Sequence, residues 1–458
     1  MATFNTDIEL TASENTTSTA ADHESRSMTN DSSSGVSQES IEQPHLPPTD
    51  HGKAAWLVLA GCSVIQAPVW GFSLSFGVFQ DYYMNLSDLE GSKSSLANIG
   101  TCASGILYLS APVTFTFLTQ YPRLRRFCGP VGLALIVVGS ILSSFAIDVW
   151  QLIATQGVIC ALGSGLLYSP TTLYLDEWFI QRKGLAYGVM LASKSLAGAA
   201  LPFLMGALLD RVGFRTTMRA WAVASLIATV PLLYFLRPRT RAISSTTPQR
   251  LSLSFLTLPS FWILQTGNIL QSLGYFVPST YLASYASTIG LKPQIGTLMI
   301  ALLNATSVPG SLLIGMLNDR CHVTNVILIS TIGSTLAVLV FWGLADQVAL
   351  LAVFAILYGF FAGGFSATWS GVLIQLKQEM PALETGLVFG LLAGGRGIGN
   401  VISGPLSTIL IDSGLVEVSK SRSLGYETQY GWLIVFTGIT ALLGGWGWMW
   451  RMCQTLLQ

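Results

Sequence analysis

The chain has 458 residues, 51% of them apolar and only 10% charged, with 45 glycines and an even balance of 23 basic and 23 acidic side chains. A soluble protein of this length carries about a quarter charged residues, and a neutral chain has neither the basic excess of a nucleic-acid binder nor an acidic tail. These proportions leave a membrane protein, with the lipid bilayer as its solvent.

Residues 1–50 are dense in Ser, Thr, Asp, Glu and Asn, and Arg26 is their only Lys or Arg. Such a segment buries too little apolar surface to offset the entropy of ordering it, so a disordered cytoplasmic tail is expected. It lacks the charged stub and apolar core of a cleaved leader, so the first spanning helix is expected to direct insertion. From Ala54 onward, apolar stretches follow one another, each near the ~20 residues that cross a ~30 Å hydrocarbon layer. Twelve spans are placed at 54–80, 95–118, 127–147, 151–176, 184–209, 217–236, 260–285, 295–317, 323–344, 348–375, 385–411 and 431–450. The longest polar interruption, 237–259, carries Arg239, Arg241, Ser244, Ser245, Thr246, Thr247, Pro248 and Arg250, and separates a six-span half at 51–236 from another at 260–458.

With both termini cytoplasmic, the inner connections hold Arg123, Arg125, Arg126, Arg182, Lys183, Arg237, Arg239, Arg241, Arg250, Arg320, Lys377 and Arg451. The outer ones hold only Lys93, Arg211, Arg215, Arg219, Lys292, Lys420 and Arg422, a bias of the sense that the positive-inside rule requires. Asn85-Leu86-Ser87 then falls in the first outer connection, where Asn85 fits a glycosylation acceptor. The six cysteines are scattered singly, and His23, His45, His51 and His322 all lie outside the spans, so disulfides, a metal site and a polytopic enzyme are not expected. No phosphate-binding glycine loop is present, and no cofactor is implied.

The two halves repeat. At one offset of 202 residues, Gly184-Leu185-Ala186-Tyr187-Gly188 is echoed by Gly386-Leu387-Val388-Phe389-Gly390, and Glu177 pairs with Glu379, Lys194 with Arg396, and Asp210 with Asp412. The charged pairs make coincidence improbable, and two parallel six-helix repeats with substrate handled between them are the plan of the major facilitator type of secondary transporter. The expected fold is therefore all-α, with twelve transmembrane helices in two parallel half-repeats.

Trp178-Phe179-Ile180-Gln181-Arg182-Lys183-Gly184-Leu185-Ala186-Tyr187-Gly188 resembles the signature between helices 4 and 5 of the monocarboxylate-transporter family, and Gly52, Ala55 and Trp56 resemble remnants of its helix 1 motif. Arg396-Gly397-Ile398-Gly399-Asn400 and Ser403-Gly404-Pro405 are similar to its fungal branch. Gly315-Met316-Leu317-Asn318-Asp319-Arg320 is similar to the superfamily's loop motif, whose Asp and Arg cap and pair with helix ends. Charges at helix ends cost little, so Arg182, Lys183, Asp319, Arg320, Glu177 and Glu379 are read as gating and structural, with the basic turn Arg182-Lys183 anchoring a helix end on the anionic inner leaflet. The lysine of helix 1 and the Asp/Arg pair of helix 8 that serve animal members are absent here, so their mechanism does not transfer.

Lys194 lies ten residues past Gly184, hence ~15 Å along its helix, and Arg396 is equally deep in the eleventh span. A charge at that depth costs at least ~2.5 kcal/mol and faces the protein interior or a water-filled cavity. Every nearby carboxylate in the sequence sits at a span end or in a connection, so the alternatives are a neutral Lys194, a pairing made by folding, or an anionic ligand held by both cations. Asn304 and Asn400 add hydrogen-bonding groups, and Tyr168, Tyr275 and Trp369 fall on spans 4, 7 and 10, which line the cavity of this fold. The leading reading is a plasma-membrane transporter of a small organic anion, monocarboxylate-like, with protons as possible partners and no accessory subunit identified. The alternatives are an exporter of a fungal secondary metabolite and, on the same fold, a non-transporting nutrient sensor.

Overall fold

Inside hydrocarbon a backbone must satisfy its N–H and C=O groups internally, so the apolar runs become helices. A computed structural model describes residues 48–86, 89–90, 93–236, 238–239, 251–413 and 424–457. In chain order the spans are α1 (Lys53–Asn85), α2 (Ala97–Gln120), α3 (Pro122–Ser143) and α4 (Val149–Trp178). The run Lys183–Phe235 follows, holding α5 before Gly213 and α6 after it. Next come α7 (Pro259–Tyr275 continued by Val277–Thr288), α8 (Pro293–Asn318), α9 (Val323–Trp342) and α10 (Val348–Glu379). Last are α11 (Thr385–Ser413) and α12 (Gly431–Leu443, continued by Trp446–Leu457). Among the described residues, ten continuous helices are long and apolar enough to cross a membrane. One of these, Lys183–Phe235, supplies two spans, and α7 supplies another in two pieces, so the fold has the twelve spans expected. Most of the expected tail, most of the linker, and Lys420 and Arg422 lie outside the described residues.

Two details differ from the sequence reading. The outer connection between spans 5 and 6 shrinks to Gly213, whose φ of 74° and ψ of 168° turn the chain at a single residue. Arg215 and Arg219 therefore sit on α6 and not in a loop, with the Arg219 Nε donating to Ser144 at 3.1 Å. Second, α1 breaks at Ile65 and α7 at Phe276, so both halves interrupt their first helix within the membrane. Of the cysteines, Cys62 and Cys160 are buried whereas Cys321 and Cys453 are exposed, and all six are free thiols.

Packing couples the halves unequally along the membrane normal. At the face where α1 begins, one apolar core takes residues from both halves, including Phe115, Trp178 and Tyr187 from the first and Phe261, Trp369, Leu376 and Phe389 from the second. Toward the opposite face the core divides: Phe79, Tyr83, Leu96 and Phe214 cluster within the first half, and Tyr285, Trp342, Phe354 and Tyr430 within the second. The halves meet where α5 packs on α8 and where α11 packs on α2. Gly184 and Gly315 allow the first of these, because a side chain on either would strike the backbone of the other.

The closed face is pinned by carboxylates. Asp319, just past α8, accepts from the Gly184 and Leu185 amides at 2.6 and 2.8 Å, so it caps the first turn of α5 from the other half. Asp50 is only 2% exposed, and its carboxylate accepts from the Ile180, Gln181 and Arg182 amides. Asp50 therefore belongs to the folded body. Lys183 is 6% exposed and pairs with Asp176 at 2.5 Å, so its ammonium is engaged inside the fold, while Arg182 beside it is exposed. Arg125 pairs with Glu177 at 2.6 Å, Glu379 accepts from Gln375 on its own helix, and Arg320 is exposed beside Asp319 in the chain.

Candidate functional site

Both deep cations are held on aromatic rings. The Lys194 ammonium lies 3.8 Å from the centroid of Trp70 on α1 and donates to the Tyr108 hydroxyl of α2 at 3.1 Å. The Arg396 guanidinium lies 3.8 Å from the centroid of Tyr275 on α7, with Phe276 and Trp369 at 5.6 and 5.9 Å. Ring faces are negative, so they accommodate a cation where no carboxylate is at hand. Neither cation belongs to an ion pair among the described residues; the pairing alternative is thereby removed for those residues.

Arg396 is fully buried, with 0% exposure. Its Nη1 donates to Gln271 Oε1 at 3.4 Å, whereas Nε and Nη2 have no hydrogen-bond partner. These two nitrogens share one edge of the planar guanidinium, the edge that matches the two oxygens of a carboxylate. A buried donor left unpaired costs about 1–3 kcal/mol, and more when charged, so such an edge is maintained against stability.

Tyr108 joins the two cations. Besides accepting from Lys194, its hydroxyl lies within reach of the Arg396 guanidinium without forming a hydrogen bond of regular geometry, and its ring meets Phe276 of the second half edge-on at 6.1 Å. The folded chain thus brings together side chains of α1, α2, α5, α7, α10 and α11.

The remaining sequence candidates divide. Tyr275 and Trp369 contact Arg396 as described, and the Trp369 indole is fixed by donating to Asn268 at 3.1 Å. Tyr168 touches neither cation but packs edge-on against Trp70 and beside Phe389, forming a wall behind the lysine. Asn304 donates to Ile300 in its own helix and lies against Gly198, one turn beyond Lys194. Asn400 donates to Ser104 at 2.7 Å and so fastens α11 to α2. Asn85 is exposed at the end of α1, donating to Asp81. Trp70, Tyr108 and Phe276 went unrecognised in the sequence, where single aromatics in apolar helices look like packing. The signal was a shared spacing, with Gln66 four residues before Trp70 and Gln271 four before Tyr275.

The family model of the Major Facilitator Superfamily matches residues 54–320 and again 267–454. Among curated proteins, the chain is 27% identical over 401 residues to the MFS-type transporter pynF of Aspergillus niger, covering 87% of this chain and 88% of that one. It is 28% identical over 403 residues to the Fujikurins efflux protein of Gibberella fujikuroi, covering 87% and 82%. Among solved structures it resembles the proton:xylose symporter XylE bound to 6-bromo-6-deoxy-D-glucose, with a TM-score of 0.64 at 13% identity over 87% of this chain and 95% of that one, a likeness of fold. With matches spanning both halves and twelve helices in two sets of six, the chain belongs to the Major Facilitator Superfamily and is a multi-pass membrane transporter.

Proposed function

We propose that this transporter exports a small organic acid of secondary metabolism, with Arg396 as the anchor of its carboxylate. The carrying observation is the fully buried guanidinium whose Nε and Nη2 lack partners. A transporter gains by leaving such an edge unpaired, since the acid supplies the missing acceptors only while it is bound. The aromatic surroundings of Tyr275, Phe276 and Trp369 suit an apolar or conjugated body more than a sugar. Efflux is favoured over monocarboxylate uptake because similar proteins bear efflux names, the Fujikurins efflux protein and an Agnestins efflux protein of Paecilomyces divaricatus among them.

On this reading the plasma membrane holds the protein with the Asp50 and Asp319 face toward the cytoplasm, as the excess of Lys and Arg at that face favours. Substrate alternates between faces as the shared core opens, and proton exchange, where it operates, runs through Lys194. An untargeted comparison of metabolites inside and outside producing cells, with and without the protein, tests the function. An acid retained inside in its absence is expected. Unchanged distributions of all acids would overturn the reading, and a protonophore that leaves export untouched would remove the proton from it.

A further inference from the structure

The two cations occupy related seats. In each half the first helix supplies a glutamine and, four residues later, an aromatic ring, and the fifth helix supplies the cation lying on that ring: Gln66, Trp70 and Lys194 in one half, Gln271, Tyr275 and Arg396 in the other. The seats differ in what the glutamine does. Gln271 accepts directly from Arg396. Gln66 is occupied within α1, accepting from the Trp70 indole Nε1 at 3.1 Å while donating to the Cys62 carbonyl at 2.9 Å, across the break at Ile65. Among the described residues, Lys194 therefore has a ring face and one phenol oxygen, with no amide or carboxylate oxygen to hold it.

We propose that Gln66 and Trp70 are positioning residues that form a releasable seat for Lys194. Resting on the indole face, the ammonium stays in the membrane interior without a counter-anion; when an acid docks on Arg396, Lys194 leaves Trp70 for the second cation position on that acid. The Trp70 ring thus competes with substrate for the lysine, while the Gln271 and Tyr275 seat holds Arg396 fixed. The charged and titratable groups facing Lys194 among the described residues are Tyr108 from α2, Tyr275 from α7 and Arg396 from α11, and none is a carboxylate. The inference rests on the acid-binding reading of the site and adds which residues set the strength of that binding.

A ring that only packs gives the opposite result from a ring that competes, so the affinity of purified protein for benzoate, an aromatic monocarboxylate, separates the two roles. At pH 6, where both lysine and benzoate are charged, Trp70→Leu is expected to tighten benzoate binding about threefold to tenfold, the range set by a partly desolvated cation–π contact, with Trp70→Phe and Gln66→Leu between it and the wild type. In parallel, solid-state NMR of protein carrying 15N-labelled lysine side chains, with Lys194 assigned by Lys194→Met, is expected to show an ammonium shielded by the indole ring, the shielding falling in Gln66→Leu and on addition of benzoate. Weaker or unchanged binding in both Trp70→Leu and Trp70→Phe, or shielding that persists with benzoate bound, would overturn the seat. Benzoate binding that survives Arg396→Gln unchanged, or is absent from the wild type, would instead remove the acid reading and the exchange built on it, while the shielding still reports whether Lys194 rests on Trp70.

Discussion

Arg396 is stacked on Tyr275, bonded to Gln271 on one side, and open along one edge. Charge-assisted hydrogen bonds contribute about 1.5–3 kcal/mol each, so Arg396→Gln is expected to weaken binding of the proposed acid substrate roughly a hundredfold or more. Arg396→Lys restores charge without the planar fork and should recover only part of the loss. The same substitution should not destabilise the ligand-free protein. A buried charge lacking an anion is costly, so a thermal midpoint equal to or above that of the wild type is expected for Arg396→Gln, together with loss of the stabilisation that ligand gives the wild type. A lowered midpoint with binding intact would assign the arginine to structure alone.

At the scale of elements, the connection from α4 to α5 carries a row of amides that donate to the carboxylates of Asp50 and Asp319. Asp50→Ala leaves three of them without their carboxylate and is expected to cost about 3 kcal/mol. Deleting residues 1–47 should leave flux unchanged, because their composition cannot form a core or line a cavity. Comparing the two variants for flux and surface abundance therefore locates where the working chain begins, and equal losses would refute the division. Gly213 offers a second check. Its φ of 74° with ψ of 168° is a region open essentially to glycine alone, so Gly213→Ala should cost about 1–3 kcal/mol, read as a drop in the thermal midpoint, and an unchanged midpoint would show that α5 and α6 can turn another way.

For the whole molecule, the shared core and the Asp319 cap hold one face shut while the halves keep separate cores toward the other. Alternating access requires this face to part, and Asp319 bridges the halves only while it is closed. Asp319→Ala should shift the population toward the open face roughly tenfold or more, the equivalent of about 1.5–3 kcal/mol. Spin labels at the exposed Gln181 and Glu379 would read it as a longer distance, and an unchanged distribution would deny Asp319 a gating role. Burial, with Asp50 nearby, holds the Asp319 carboxyl above its ordinary range. The closed face therefore binds the proton more readily than an open one, and closure should gain as pH falls through the window above the ordinary carboxylate value.

Twelve spans, two repeats and the pairing of Lys194 with Arg396 were legible in the sequence, because span length is dictated by bilayer thickness and a charge in hydrocarbon stands out in any helix. The repeat even placed Gly184 and Gly386 at matching helix starts. What the cations rest on was not legible. Trp70 and Tyr275 are ordinary apolar-helix residues until α1 meets α5 and α7 meets α11, and only then does a ring face stand in for an absent carboxylate. Asp50 was hidden for a similar reason: in a polar leader it reads as solvated, and its burial depends on three amides about 130 residues away. Hydropathy is a local property that survives in the linear order of residues, whereas the fit of one ring under one cation, or of one carboxylate over one row of amides, exists only after distant helices have packed.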